Sequence, residues 1–284
     1  MELYIVDSFT DKLFSGNQAG VVLLGNSDMF PEASVMQRIA AELKHSETAF
    51  VKLTAPDTYR LRYFTPEGEV DLCGHATVSA FTVLRNEKAL PIGNYIADTA
   101  AGRLNVSVEM NQVWMEMAQA RLIRYLTAEE SGQVYKAYGL DIEDKPENLQ
   151  PCIVCCGLAD ILLPVSSKAA LYKAAQNRDE VIRISREQQV VGVHMYYCSL
   201  SLEATAYCRN FAPLYGIDEE AATGTSNASL TYYLYENKLI SEGDTNVFLQ
   251  GKNSVKSVIY SKTVKGKIYI GGSAVVSISG NIRL

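Results

Sequence analysis

The sequence predicts an α+β protein, rich in strands and built as two similar halves. Three observations carry this. Alternation of apolar and polar residues at period two recurs along the chain, helical periodicity is confined to a few stretches, and one stretch of the first half returns in the second. At 284 residues the chain exceeds the usual size of one domain, which also favours two lobes.

The elements follow in order. "ELYIVDSF" opens as a strand, and "AGVVLL" is a second one after the turn "FSGNQ". "PEASVMQRIAAELK" places Val35, Met36, Ile39, Ala40 and Leu43 at helical spacing, with Pro31 and Glu32 suited to a first turn and an end at Lys44. An apolar strand starts at Ala49, and "DTYRLRYFT" alternates Tyr59, Leu61 and Tyr63 against polar neighbours. "RLNVSVEM" and "QVWMEMA", separated by Asn111, read as a hairpin. "TAEESGQVYKAYG" begins on a Thr-x-x-Glu capping box and ends on glycine. "PCIVCCGL" reads as a buried strand, while "SKAALYKAA" and "RDEVIRISREQ" read as helices.

Composition excludes several function classes. Hydrophobic residues at 48% and charged residues at 20% are ordinary for a soluble globular chain. A net charge of −6 gives no basic footprint for nucleic acid or an anionic membrane. No apolar run approaches the ~20 residues that span a bilayer, and "MELYIVDSF" lacks the basic and apolar regions of a secretory signal. A cytoplasmic protein is expected. Its six cysteines are then thiols. Cys152 and Cys155 form a Cys-x-x-Cys, but no second pair follows, and His45, His75 and His194 stand at no ligand spacing from it. No metal is therefore expected.

The returning stretch bears on chemistry. "YFTPEGEVDLCGHATVSAFTVL" in the first half and "NFAPLYGIDEEAATGTSNASLTYYL" in the second each run from Phe-x-Pro through an acidic loop to a glycine. A helix of small and hydroxyl residues follows in both. The first turn of a helix exposes unpaired amides at the positive end of its dipole, and glycine admits a ligand to the backbone. Two such ends, in lobes that face each other, would hold a carboxylate without lysine or arginine. The residues alone leave this open against two well-capped core helices.

These segments resemble the PhzF (phenazine-biosynthesis) family, within the broader diaminopimelate epimerase fold. The matching pieces are "VDSFTDKLFSGNQAGVVLL", "MQRIAAELKHSETAFV", "YRLRYFTPEGEVDLCGHAT", "RNFAPLYGIDEEAATGTS", "LQG" and "YIGGSAVVSISGNIRL", in the family's order. The resemblance implies two pseudo-symmetric lobes, each a curved, mostly antiparallel, barrel-like sheet around a central helix, here "GHATVSAFTVL" and "GTSNASLTYYL". It implies a terminal strand that returns to the first lobe, hence lobes at 1–118 plus 275–284 and at 119–274, and it implies a homodimer.

Within the broad fold, cofactor-free racemases use one thiol before a glycine in each lobe. Here Cys73 precedes Gly74, but Thr223 precedes Gly224, and a hydroxyl cannot store a proton as a thiol does. The two-thiol chemistry is disfavoured, and Cys73 reverts to a small residue beside a helix start. In the PhzF family the base is the glutamate of a Ser-Glu-Thr turn, here Glu47 after Ser46. Enclosure by apolar lobes is expected to raise its pKa, so that it serves as base and then as acid. The resemblance gives His75 a hydrogen-bonding or relay role, and gives Glu220 and Thr225 substrate positioning and proton sharing. Ser46, Gly74, Ala76, Thr223 and Gly224 would bind substrate. The second-lobe motif departs from the family's Glu-Asp-Pro-Ala-Thr-Gly-Ser. Glu220 stands for the aspartate, Ala221 for the proline and Thr225 for the serine, and Gln18 replaces a proline in "GNQAG".

The expectation is thus an isomerase of the PhzF type, needing no cofactor, that moves a proton on a small amino- or hydroxy-acid-like carboxylate. The alternatives are a racemase, epimerase or dehydratase of the same fold using Cys73, or a metabolite-binding protein without catalysis.

Overall fold

The computed structural model describes residues 1–25, 29–252 and 255–283. Leu284, the last residue assigned above to the first lobe, lies outside them. The chain divides into two compact units, Met1–Glu116 with Gly271–Leu284, and Met117–Ile270. No helix among the described residues is long and apolar enough to cross a membrane.

The first unit runs β1 (Glu2–Ser8), β2 (Asn17–Leu23), α1 (Ala33–Leu43), β3 (Glu47–Ala55), β4 (Thr58–Phe64), β5 (Glu69–Val70), α2 (Gly74–Glu87), β6 (Gly93–Thr99), β7 (Gly102–Val108) and β8 (Val113–Glu116). The second runs β9 (Arg121–Tyr125), α3 (Ala128–Ala137), β10 (Cys152–Cys156), β11 (Leu158–Pro164), α4 (Lys168–Lys173), α5 (Arg178–Gln188), β12 (Gly192–Cys198), β13 (Ala206–Ala212), β14 (Ile217–Glu220), α6 (Gly224–Glu236), β15 (Asn246–Gln250), β16 (Ser257–Val264) and the start of β17 (Lys267–Gly272), whose last two residues belong to the first unit. The last strand, β18 (Ala274–Asn281), pairs antiparallel with β1.

The internal duplication in the sequence is a duplication of topology. In the first unit, β1–β2 is antiparallel, β2–β3 parallel, β3–β4 and β4–β5 antiparallel, β4–β6 parallel and β6–β7 antiparallel. In the second, β10–β11, β11–β12, β12–β13, β13–β14, β13–β15 and β15–β16 repeat that series with the same senses. Each parallel pair needs a crossover, and helices supply it: α1 or α4–α5 for one, α2 or α6 for the other. Each unit is therefore a curved, mostly antiparallel sheet around one central helix.

The central helices explain their own composition. In α2 every residue from His75 to Leu84 is buried, and the helix packs on β1, β2, β3, β8 and β18. A helix surrounded by sheet has no solvent face, so small and hydroxyl side chains replace the usual amphipathic stripe. The same holds for α6, enclosed by β9, β10, β11 and β16. Peripheral helices keep their stripe. Met36 and Ala40 of α1 pack with Val22, Phe50 and Phe64, and Val181 and Ile184 of α5 enter the second unit's core. The capping box at Thr127 and Glu130 forms as read from the sequence.

Two boundaries differ from the sequence reading. The helix α1 starts at Ala33 with Glu32 as N-cap, so Pro31 precedes it and does not occupy its first turn. Strand β3 begins at Glu47, two residues before the apolar run at Ala49, because ladder pairing with Ala19 sets its start.

Candidate active site

The carboxylate of Glu47 sits at the first position of β3, and His75 is the second residue of α2. The Glu47 Oε2 is 3.1 Å from His75 Nε2. It lies off the N–H direction and falls outside hydrogen-bond geometry, so the contact is an ion pair rather than an aligned hydrogen bond. Ser46 Oγ is 3.2 Å from the same nitrogen. Asn17 Nδ2 approaches the other ring nitrogen, Nδ1, at 3.4 Å. The Cys73 sulfur stands 3.4 Å from Nδ1 and 3.8 Å from Nε2. Cys73 and His75 are each 6% exposed, whereas Glu47 keeps 19%, so the carboxylate is the more open member of the cluster.

The helix start supplies the frame. The first amide of α2 with an intrahelical acceptor is Thr77 N, bonded to Cys73 O at 3.0 Å, so the amides of Gly74, His75 and Ala76 have none. The Thr77 hydroxyl donates to the same carbonyl at 2.7 Å and meets the Tyr63 hydroxyl at 2.6 Å, which pins the turn to β4. A Cβ at Gly74 would meet just the flexible Met115 methyl at 3.3 Å, and Gly74 has no positive φ. Neither strain nor tight packing inside the unit explains this glycine, which agrees with close approach by a ligand.

Electrostatics correct one expectation. Burial does push the Glu47 pKa up, but His75, together with Ser46 and Cys73, outweighs it, and the carboxyl is held below its usual value. Burial opposes a charge on His75, yet Cys73 and Glu47 beside it raise its pKa well above the ordinary imidazole range. Burial and the Glu47 charge push the Cys73 thiol up to about 11 against the opposing effect of His75. At neutral pH the cluster is thus carboxylate, imidazolium and neutral thiol. Because the thiol is neutral, Glu47 is the partner that sustains the histidine's charge.

The second unit carries the other residues picked out from sequence. Thr223 is the N-cap of α6 and Gly224 its first residue. The Thr223 hydroxyl donates to Glu220 Oε2 at 3.0 Å. Gln250 clamps this turn: its Oε1 accepts from Thr223 N and Asn227 Nδ2, and its Nε2 donates to Glu220 O and reaches Thr223 Oγ1. Asn227 also donates to Thr223 O at 2.8 Å, the bond Thr77 makes in the first unit. Thr225, the second residue of α6, is half-buried. A Cβ on Gly224 would meet Ile270 at an ordinary 3.6 Å. Behind the turn, Ser226 donates to the buried Asp160 at 2.6 Å and accepts from Asn210 at 3.0 Å.

The structure thus brings Ser46, Glu47, His75, Gly74 and Ala76 together in the first unit, and Glu220, Thr223, Gly224 and Thr225 together in the second. Sequence reasoning set aside Cys73, which lies against His75, and passed over Asn17 and Gln250. The signal for those two was present, since they stand in "GNQAG" and "LQG". The expectation of no metal set at His75 rested on spacing along the chain. In space, Glu47, Cys73 and His75 each offer a ligand atom, all within 4.8 Å of one another.

Comparison with known proteins bears on the whole chain. A family model described as phenazine biosynthesis-like protein matches residues 6–280. An uncharacterized isomerase of Clostridium acetobutylicum is 33% identical over 244 residues, 84% of this chain and 80% of that protein. The uncharacterized isomerase YddE of Escherichia coli is 30% identical over 291 residues, 97% of this chain and 96% of the relative. The crystal structure of a PhzF-family phenazine biosynthesis protein from Bacillus anthracis superposes with a TM-score of 0.87 at 24% identity, covering 100% of this chain and 99% of that one. The two relatives named isomerases support an isomerase activity. The chain belongs to the PhzC-PhzF family of phenazine biosynthesis-like proteins.

Proposed function

We propose that the protein isomerises a small carboxylate substrate, amino- or hydroxy-acid-like, by proton transfer from carbon to carbon without a cofactor, with Glu47 as the acid/base. The observation that carries this reading is the ion pair of Glu47 and His75 at the open start of α2. A carboxylate ready to accept a proton stands beside an imidazolium ready to supply one. The imidazolium holds Glu47 ionised and so available as the base. Glu47 removes the proton from substrate carbon, and His75 compensates the charge as Glu47 is protonated. The protonated Glu47 then returns the proton to another carbon. The amides of Gly74, His75 and Ala76 are the proposed seat of the substrate carboxylate, and Ser46 a hydrogen-bond partner beside it. Glu220, Thr223, Gly224 and Thr225 enter as substrate-positioning groups through the family pattern. A cytoplasmic homodimer is the proposed setting.

Cys73, in contact with His75, favours a second reading, in which the thiol is the base. A buried thiol at about 11 is a poor source of thiolate at neutral pH, which ranks it below Glu47. Turnover of a panel of small amino and hydroxy acids by Glu47→Gln and Cys73→Ser variants decides between them. Loss of about 10²–10⁴-fold in Glu47→Gln with most activity kept in Cys73→Ser is expected. The reverse order of losses moves the chemistry to the thiol.

A further inference from the structure

We propose that a second copy of this chain docks on the outer face of helix α1. The two copies form a two-fold dimer in which Arg38 of each pairs with Glu42 of the other. Dimerisation as such rests on the setting proposed above, whereas the choice of this face stands on the features below.

Helix α1 carries two apolar rows. Met36 and Ala40 are buried in the first unit's core with Val22, Phe50 and Phe64. Val35, Ile39 and Leu43 make a second row at a spacing of four, and each is half-buried. A helix packed on one side alone needs one such stripe. The second row lines an open groove of about 730 Å³, together with Leu3 of β1 and Ile282 just beyond β18. Ile278, 59% exposed, is the register partner of Ile5 and so continues the face of Leu3 along β18. A contiguous apolar surface rimmed by charge marks an interaction site.

The rim selects the occupant. Arg38 and Glu42 are exposed, stand one turn apart on α1 and border the groove. Among the described residues, the Arg38 side chain makes one hydrogen bond, to Ser34 O at 3.4 Å, and neither residue has an ion pair. Opposite charges one turn apart on a helix face complement each other when that face meets its own copy antiparallel. A two-fold axis beside Ile39 and Ala40 sets Ile39 against its copy and Arg38 opposite Glu42 of the second copy, twice per interface. Rows at a spacing of four on both helices interdigitate in the commonest mode of helix packing. An amphipathic anion in the groove would meet Arg38 and Arg283 but also the Glu42 carboxylate, so the rim suits it less.

The test measures self-association of wild type, Arg38→Glu and Glu42→Arg by sedimentation velocity and light scattering at micromolar protein. Each variant is measured alone, and the two are measured as an equimolar mixture. Both positions are exposed, so the fold is kept, and circular dichroism checks this. The proposal predicts a dimeric wild type and a dissociation constant raised at least about 10-fold in each variant, since like charges then face each other at two places. The mixture should recover wild-type affinity, because the reversed charge of one chain meets the reversed charge of the other. A monomeric wild type overturns the interface and the homodimer together. A dimer that neither variant weakens overturns the interface and leaves the homodimer standing. Weakened variants whose mixture stays dissociated overturn the antiparallel pairing of Arg38 with Glu42.

Discussion

Asp160 gives the second unit a pH-dependent weakness of calculable size. It is 2% exposed, and burial lifts its pKa from 3.8 to about 6, helped by the Glu220 charge and opposed by hydrogen bonds from Ser226 and the Gly192 amide. Below pH 3.8 the folded and unfolded chains both hold the proton, and the group costs nothing. Between there and about 6 the unfolded chain releases its proton while the folded one retains it, so stability falls as pH rises. Above that range the deficit is constant at about 3 kcal/mol. The variant Asp160→Asn keeps the shape and the acceptor for Ser226 but has no proton to lose. Any fixed cost of turning the amide is the same at every pH and cancels in the comparison. Melting temperatures of both proteins at pH 4 and pH 8 read the effect. The variant should gain on wild type by about 5 °C between the two, since about 0.5 kcal/mol of the deficit is already present at pH 4 and a chain of this size shifts by about 2 °C per kcal/mol. A gap that stays constant, or widens in favour of wild type at high pH, refutes the assignment of a buried, costly carboxylate.

Three further outcomes follow from packing and charge. A Cβ at Gly271 would lie 2.4 Å from the ring of the buried Trp114, so Gly271→Ala should lose about 1–3 kcal/mol in urea unfolding, and a neutral result would mean that the ring moves freely. Arg209, 4% exposed, donates to Leu171 O, Ala174 O and both oxygens of Glu219. Replacing it by Met strands those acceptors at about 2–4 kcal/mol, discounted because Glu219 is partly exposed, and unchanged unfolding would contradict this. The Glu47–His75 pair has opposite shifts, and each bounds its contribution on one side. The Glu47 part is lost as pH falls below about 4.5 through its lowered pKa, and the His75 part shrinks as pH rises from about 6.5 toward its raised one. The melting-temperature penalty of Glu47→Gln should therefore be largest between those two values, and a penalty independent of pH would remove the ion pair from the account.

The architecture was legible because the two halves share a grammar of strand, glycine turn and apolar-to-hydroxyl helix, and the strand pairings repeat with it. Motifs in family order then pointed to Glu47, His75 and the Glu220–Thr225 turn. What the sequence could not convey was the balance of forces at the site. Apolar surroundings argue for a raised Glu47 pKa, and His75, with Ser46 and Cys73 beside it, reverses the direction; the folded contacts decide which wins. Cys73 was judged by its missing mirror thiol at Thr223, a comparison that says nothing of its contact with His75. The meeting of Glu47 with Cys73 and His75 escaped for a related reason. Glu47 comes from a strand and the other two from a helix start, so chain spacing holds no trace of it.

The central claim, that Glu47 moves a proton on carbon, is tested most directly by hydrogen exchange in heavy water. Substrate incubated with wild-type protein in D₂O should acquire one deuterium at the carbon that gains the proton, read by mass spectrometry or proton NMR. The same incubation with folded Glu47→Gln should leave the substrate unlabelled. Deuterium incorporated at an undiminished rate by Glu47→Gln would contradict the account.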